Sequence, residues 1–423
     1  MASAAWRIAA PMILSNISVP LVGMVDTGVA GHLEEAAYLG AVAVGTIIIS
    51  FLYIGVDFLR MGTTGITAQQ FGANDFNGLR ITLGQSLIVA AVIASILLLF
   101  QLPFFAAAIN IISPSNSVAV FTDQYFFIRI WSAPAALANF ALIGWFIGLQ
   151  NARIPLIIVL TINITNIILD LVFVILIGMK VDGIALASVI AEFTGLIVAL
   201  GFVVRELQKH EGSWLIVKLT TLREYAVFLT LNGNLFVRTI ALMFTFAFIT
   251  AQGARQGELI LAANAILMNL QYLLAFALDG FAHAAEALVG KAIGKNNRAA
   301  LRRSVTLALR WSLIVAVGFS IFFALSGSFL ISILTNISEI REATERYLPW
   351  LVLSPLVAVW AYLYDGVFVG ATLAKEMRNI MLISTFMIFV PAWYALQFLG
   401  NDGLWLAFIF FMASRALGMH YVY

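Results

Sequence analysis

Apolar residues run along this chain in long blocks, with polar residues gathered into short breaks between them. Ser86 to Phe100, Leu156 to Met179 and Ile380 to Leu399 are typical blocks. Each approaches the roughly 20 residues that a helix needs to cross a bilayer. Block by block, the pattern predicts twelve spans, at 6–31, 37–70, 80–105, 121–149, 154–178, 183–206, 223–251, 258–291, 301–334, 341–371, 377–399 and 402–423. Several exceed the bilayer thickness and are expected to tilt or project beyond it. The fold class is all-α and integral to the membrane.

Composition fits that class. Of 423 residues, 62% are hydrophobic and 10% charged, where soluble domains carry about 25% charged residues. Cysteine is absent, which excludes disulfides, thiol chemistry and Cys metal sites. A net charge of +2, spread over short loops, gives no sign of a nucleic-acid partner. The first apolar stretch is too long for a cleavable signal peptide and reads as an ordinary span. There is no Walker motif and no metal-ligand spacing, so neither ATP hydrolysis nor a cofactor is expected.

Loop charge predicts orientation. If the N-terminus and the connections 2–3, 4–5, 6–7, 8–9 and 10–11 share one side, that side holds fourteen Lys and Arg and the other side four. The positive-inside rule then puts both termini in the cytoplasm.

The chain also repeats itself. A shift of 222 residues carries Asp57 onto Asp279, Gly72 onto Gly294, Arg80 onto Arg302, Tyr125 onto Tyr347, Ser132 onto Ser354 and Gly148 onto Gly370. Near the end the shift slips to 220, matching Asp182-Gly183 with Asp402-Gly403. Each copy holds an even number of spans, so the halves share one orientation and form a parallel repeat. The expected architecture is two six-helix lobes, 1–207 and 223–423, joined by a cytoplasmic linker at 208–222. A pseudo-two-fold axis would relate them around a central cavity.

Duplication sorts the intramembrane acids. Asp57 and Asp279 match and are read as structural, with Arg60 one turn from Asp57. Asp26 and Asp170 fall opposite Phe248 and Ala392, so the fold does not demand them. Both lie in the outer half of helices that run outward, at about 1.5 Å per residue from the cytoplasmic end. A carboxylate in hydrocarbon costs several kcal/mol unless protonated, paired or hydrated. Two close carboxyls can share one proton.

On span 5, Asn163, Asn166 and Asp170 form one polar stripe, which points into the bundle or a cavity. Asn166 is placed to donate to Asp170, and Ser188 lies at a compatible depth on span 6. Asn163, Asn139 and Ser188 are candidate lining residues of a substrate cavity. On span 1, Pro11 and Pro20 each remove a backbone donor and permit a bend, while Gly23, Gly28 and Gly31 permit close packing. Pro11, Pro20 and Gly23 are the candidate switch. Arg238, deep in span 7, needs a partner, and Asp365 on span 10 is the candidate. Glu192, Glu286, Arg129, Arg310 and His283 read as paired, snorkelling or structural.

Several stretches resemble the DinF-like branch of the multidrug and toxic compound extrusion (MATE) family. They are Val25-Asp26-Thr-Gly-Val-Ala-Gly-His32-Leu, Tyr38-Leu-Gly-Ala-Val-Ala, Leu59-Arg-Met-Gly-Thr-Thr-Gly-Ile-Thr-Ala-Gln and Gln70-Phe-Gly-Ala. Gly148-Leu-Gln-Asn-Ala-Arg-Ile-Pro155 and Trp360 to Gly370, with Asp365-Gly366, fit the same branch. The resemblance implies a cation-coupled antiporter that expels cationic, amphipathic drugs and dyes. It places the coupling site at Asp26, Asn166 and Asp170, puts Pro11 at the family's helix-1 proline, and puts Ser188 where archaeal members often carry a small hydroxyl residue. The sodium-linked NorM-like branch uses acids on helices 7 and 10. Span 7 here has no acid beyond Glu224, so that site is incomplete, with Asp365 as its one remnant.

The expected activity is proton/drug antiport by a monomer in a bacterial inner membrane, with lipid as its surroundings. Sodium at the same carboxylates is an alternative. A lipid-linked oligosaccharide flippase is another, disfavoured because lobe one offers acids where a pyrophosphate needs basic groups. A channel or scaffold leaves the asymmetric acids without a use.

Overall fold

The computed structural model describes residues 2–31, 33 and 35–423; His32 of the first motif lies outside them. Among the described residues twelve helices are long and apolar enough to span. In order they are Ala5–Gly31, Ala36–Ala73, Phe76–Leu99, Asn116–Gly148, Arg153–Leu176 and Val181–Leu207, then Leu222–Arg255, Glu258–Gly294, Arg298–Leu334, Ser338–Gly370, Ala374–Leu399 and Asn401–Val422. They are spans 1 to 12 below.

Three features depart from the apolar pattern. Span 2 is two helices, Ala36–Ile54 and Phe58–Ala73, separated by a turn. Arg60 closes that turn by donating to both carboxylate oxygens of Asp57, at 3.0 and 3.3 Å. The expected span 3 ran to residue 105, but it stops at Leu99 and a separate helix, Gln101–Ile112, follows with no buried residue. π-helical segments occupy Leu171–Leu176 and Ile383–Phe389. Apolar residues flank all three places, so hydropathy alone does not mark them.

The duplication is written into the backbone. Asn74 and Asn296 end helices at φ 57° and 51°, Gln150 and Thr372 sit at 63° and 58°, and Gly178 and Gly400 at 80° and 61°. Every pair is 222 residues apart. The next residues repeat as helix caps: Asp75 accepts from the Gly78 amide at 2.8 Å, and Asn297 from the Ala300 amide at 2.9 Å. Packing repeats too. A Cβ on Gly144 would strike the Arg60 carbonyl, and one on Gly366 the Ala282 carbonyl. Backbone cannot yield as a flexible side chain would, so Gly144→Ala and Gly366→Ala should each cost about 1–3 kcal/mol. Thermal unfolding of the purified protein should show similar drops for the two variants.

Two compact units emerge, one of residues 14–228 and one joining the described residues up to Ile13 with 229–423. These limits differ from the expected 1–207, 208–222 and 223–423, for identifiable reasons. Trp6 packs edge-on against Phe281 and Trp311, at 5.2 and 5.3 Å between ring centroids, so span 1 begins among the C-terminal helices. The expected linker is tied to the N-terminal unit. Arg80 donates to the carbonyls of Leu207 and His210 at 3.0 and 2.8 Å, and Asn77 accepts from the Ser213 amide at 2.8 Å.

Candidate ion-coupling site

Span 5 opens as a helix, Arg153–Asp170, whose Ile, Leu and Val leave only a narrow polar face. That face is buried where it matters: Asn166 is 2% exposed and Asp170 0%. Asp26 on span 1 is buried as well, at 8%. The two carboxyls face each other within hydrogen-bonding reach. Neither offers a donor unless one carries a proton. Both oxygens of Asp170, one of Asp26 and the amide oxygen of Asn166 are buried without a hydrogen-bond donor. Four acceptors sealed from water without a donor are costly. A shared proton or a small cation relieves that cost.

The asparagines act differently from expectation. Asn166 donates to Ser188 at 3.1 Å rather than to Asp170, and Asn163 donates to Ser18 at 2.8 Å. Ser18 precedes Asp26 by about two helical turns, as Asn163 precedes Asp170. The two helices, both predicted to run outward, therefore meet at two successive levels, a signal the sequence contained in Ser18. Asn139, assigned to the substrate cavity, donates to the backbone carbonyl and a carboxylate oxygen of Glu192, both at 3.0 Å. It braces span 4 against span 6.

The positive charge that both acids feel is Arg129. Its guanidinium lies 4.0 Å from Glu192, donates to Ser132 and sits 5.7 Å from the Tyr53 ring centroid. Glu192 and Arg129 are thus paired, in line with the structural reading.

Span 1 stays helical through both prolines, from Ala2 to Gly31. Pro11 is partly buried, while Pro20 and Gly23 are exposed. The expectation of close packing at Gly23, Gly28 and Gly31 is corrected: a Cβ on any of them would meet nothing within 4 Å. A π-helical segment begins directly after Asp170, a geometry frequent at functional sites.

Among the described residues, the C-terminal unit lacks this arrangement. Phe248, opposite Asp26, packs against Phe244 and Phe389 at 5.9 and 5.4 Å. Its buried charges are gathered elsewhere. Arg238 pairs with Asp365 as expected, and Arg415 on span 12, absent from the sequence reading, donates to the same oxygen at 2.6 Å.

Duplicated six-helix halves of spanning helices are the architecture of a secondary transporter, and the class follows from the family. The chain belongs to the MATE family: the MatE family model matches residues 11–172 and 235–394. DNA damage-inducible protein F of Escherichia coli (strain K12) is 43% identical over 417 residues, covering 98% of this chain and 90% of that protein. Multidrug and toxin extrusion protein 1 of Homo sapiens is 24% identical, over 97% and 72% of the two chains. Crystal structures of MATE in the bent and the straight conformation share the fold, with TM-scores of 0.88 and 0.89 at 18% identity. They cover 99% of this chain, and 94% and 95% of theirs.

Proposed function

We propose that this transporter exports cationic, amphipathic compounds in exchange for protons by alternating access, with Asp26 and Asp170 as the coupling pair. The observation that carries the reading is the set of buried carboxylate oxygens without a donor. Protonation at the outer face satisfies them and neutralises the site as the cationic substrate leaves. Release at the cytoplasmic face recharges it. Asn166 and Ser188 hold span 5 against span 6 beside the pair, and span 1, weakened at Pro11 and Pro20 and open at Gly23, is the element that bends. The protein works as a monomer in a bacterial inner membrane, with both termini cytoplasmic.

The free energy is adequate. One charge crossing 100 mV supplies about 2.3 kcal/mol, and one pH unit about 1.4 kcal/mol. A monovalent cation leaving in exchange moves against the same potential, so one proton supports a roughly tenfold gradient of it per pH unit.

A second reading uses sodium at the same place, because the Asn166 amide oxygen is also without a donor and hard cations take oxygen ligands. Inverted vesicles loaded with a cationic dye distinguish the two. A pH gradient imposed without sodium should drive dye movement, and a sodium gradient at uniform pH should not. The reverse pattern moves the assignment to sodium. Failure of both gradients removes the antiport reading.

A further inference from the structure

Residues 208–221 connect spans 6 and 7 and lie outside both. They nonetheless expose a run of apolar side chains, with Trp214 45%, Ile216 68% and Val217 74% exposed, and Leu222 follows at 87%. Exposed apolar side chains are ordinary on a spanning helix, where lipid tails cover them. In a connection that reaches water they are costly.

The segment cannot turn over to hide them, because its other face is fastened. Leu219 occupies the space above Gly84, where an added Cβ would meet it at 2.7 Å. The Tyr225 hydroxyl donates to the Leu219 carbonyl at 2.8 Å, and Gln85 to the Glu224 carbonyl at 3.1 Å. Asn77 and Arg80 hold the upstream end through Ser213 and His210. The result is a short strap with an anchored inner face and an apolar outer one.

Cations accompany the apolar run. Arg205, Lys209, Lys218 and Arg223 are exposed along it, with Glu211 and Glu224 as the exposed acids. Lys209 is engaged by Glu206 at 2.7 Å, leaving Lys218 and Arg223 beside the apolar residues. Apolar side chains flanked by cations at the ends of two spanning helices match the chemistry of an anionic lipid surface.

We propose that residues 213–222 form an interfacial strap bound to the anionic cytoplasmic leaflet, with Trp214, Ile216, Val217 and Leu222 among the lipids and Lys218 and Arg223 at headgroup phosphates. The side of the membrane rests on the positive-inside orientation; the strap itself does not depend on proton coupling. It gives the connection between the lobes a lipid-dependent attachment.

The cysteine-free sequence makes the test direct. Val217→Cys and Glu211→Cys, each carrying a nitroxide, are placed in full-length protein in phosphatidylcholine–phosphatidylglycerol vesicles. At Val217, collisions with oxygen should exceed those with a water-soluble nickel chelate several-fold. At Glu211 the order should reverse. Lys218→Glu with Arg223→Glu, or vesicles of phosphatidylcholine alone, should lower the Val217 ratio several-fold. A water-like ratio at Val217 overturns insertion. Shielding from both reagents overturns it in favour of a protein contact, either a partner or a second copy. A ratio insensitive to lipid charge and to both reversals overturns the anionic-lipid assignment.

Discussion

Asp170→Asn should abolish pH-driven efflux while leaving the protein folded and in the membrane. The amide is nearly the size of the carboxylic acid but cannot exchange a proton. The dye gradient should therefore fall from roughly tenfold per pH unit to none. Asp26→Asn should do the same. The double variant should be no worse than either single one, because two groups that share a proton act as a unit. Stability should move the other way. Removing a buried carboxylate that lacks a donor takes away a desolvation penalty, so the thermal midpoint of Asp170→Asn should equal or exceed that of the parent. A variant that still pumps against a gradient, or one inactive only because it unfolds, would sink the assignment.

Asp365→Ala should be the most destabilising single substitution among the buried charges of the C-terminal unit. Arg238 and Arg415 both lean on one oxygen of Asp365, from spans 7 and 12, and their exposures are 7% and 2%. Removing the shared acid leaves two buried cations uncompensated. Breaking one buried pair costs about 3–5 kcal/mol, and the shared acid puts this variant at the upper end. A thermal melt in detergent reads the loss. Asp365→Asn keeps a hydrogen-bond acceptor and should lose less, with the pH dependence of transport preserved. If Asp365→Asn melts normally but no longer couples to protons, Asp365 belongs to the transport chemistry and the structural assignment fails.

The parts of this molecule that hydropathy reveals are those where twenty consecutive residues share one fate. The twelve spans are of that kind; the duplicated landmarks from Asp57 to Gly370 are legible instead because they recur at one offset. Features that depend on a single residue are less visible. The turn at Gly55–Asp57 lies between apolar neighbours and is closed by an Asp57–Arg60 contact of a kind common on surface helices. The π-helical segments are made of the same Ile, Leu, Val and Phe as the helices around them.

At the site, depth along two helices and the absence of matched acids in the second half led to Asp26 and Asp170. Spacing places Asn166 one turn from Asp170 but does not say which neighbour its amide donates to. In the fold the Asn166 amide donates to Ser188 on the next spanning helix. Arg415 belongs to the last span, and only folding carries it to Asp365.

The paired left-handed residues and paired caps have a consequence for how such a chain changes over generations. Turns, caps and close glycine contacts recur in both halves, since each half must build the same scaffold. Several ionisable groups recur as well, Asp57 with Asp279 and Arg80 with Arg302, but the coupling pair does not: one half keeps two acids where the other has phenylalanine and alanine, and collects its arginines on a different acid. Scaffold and chemistry are thus inherited separately after duplication. One copy is free to lose, move or replace its charges while the backbone it shares with its twin stays under constraint.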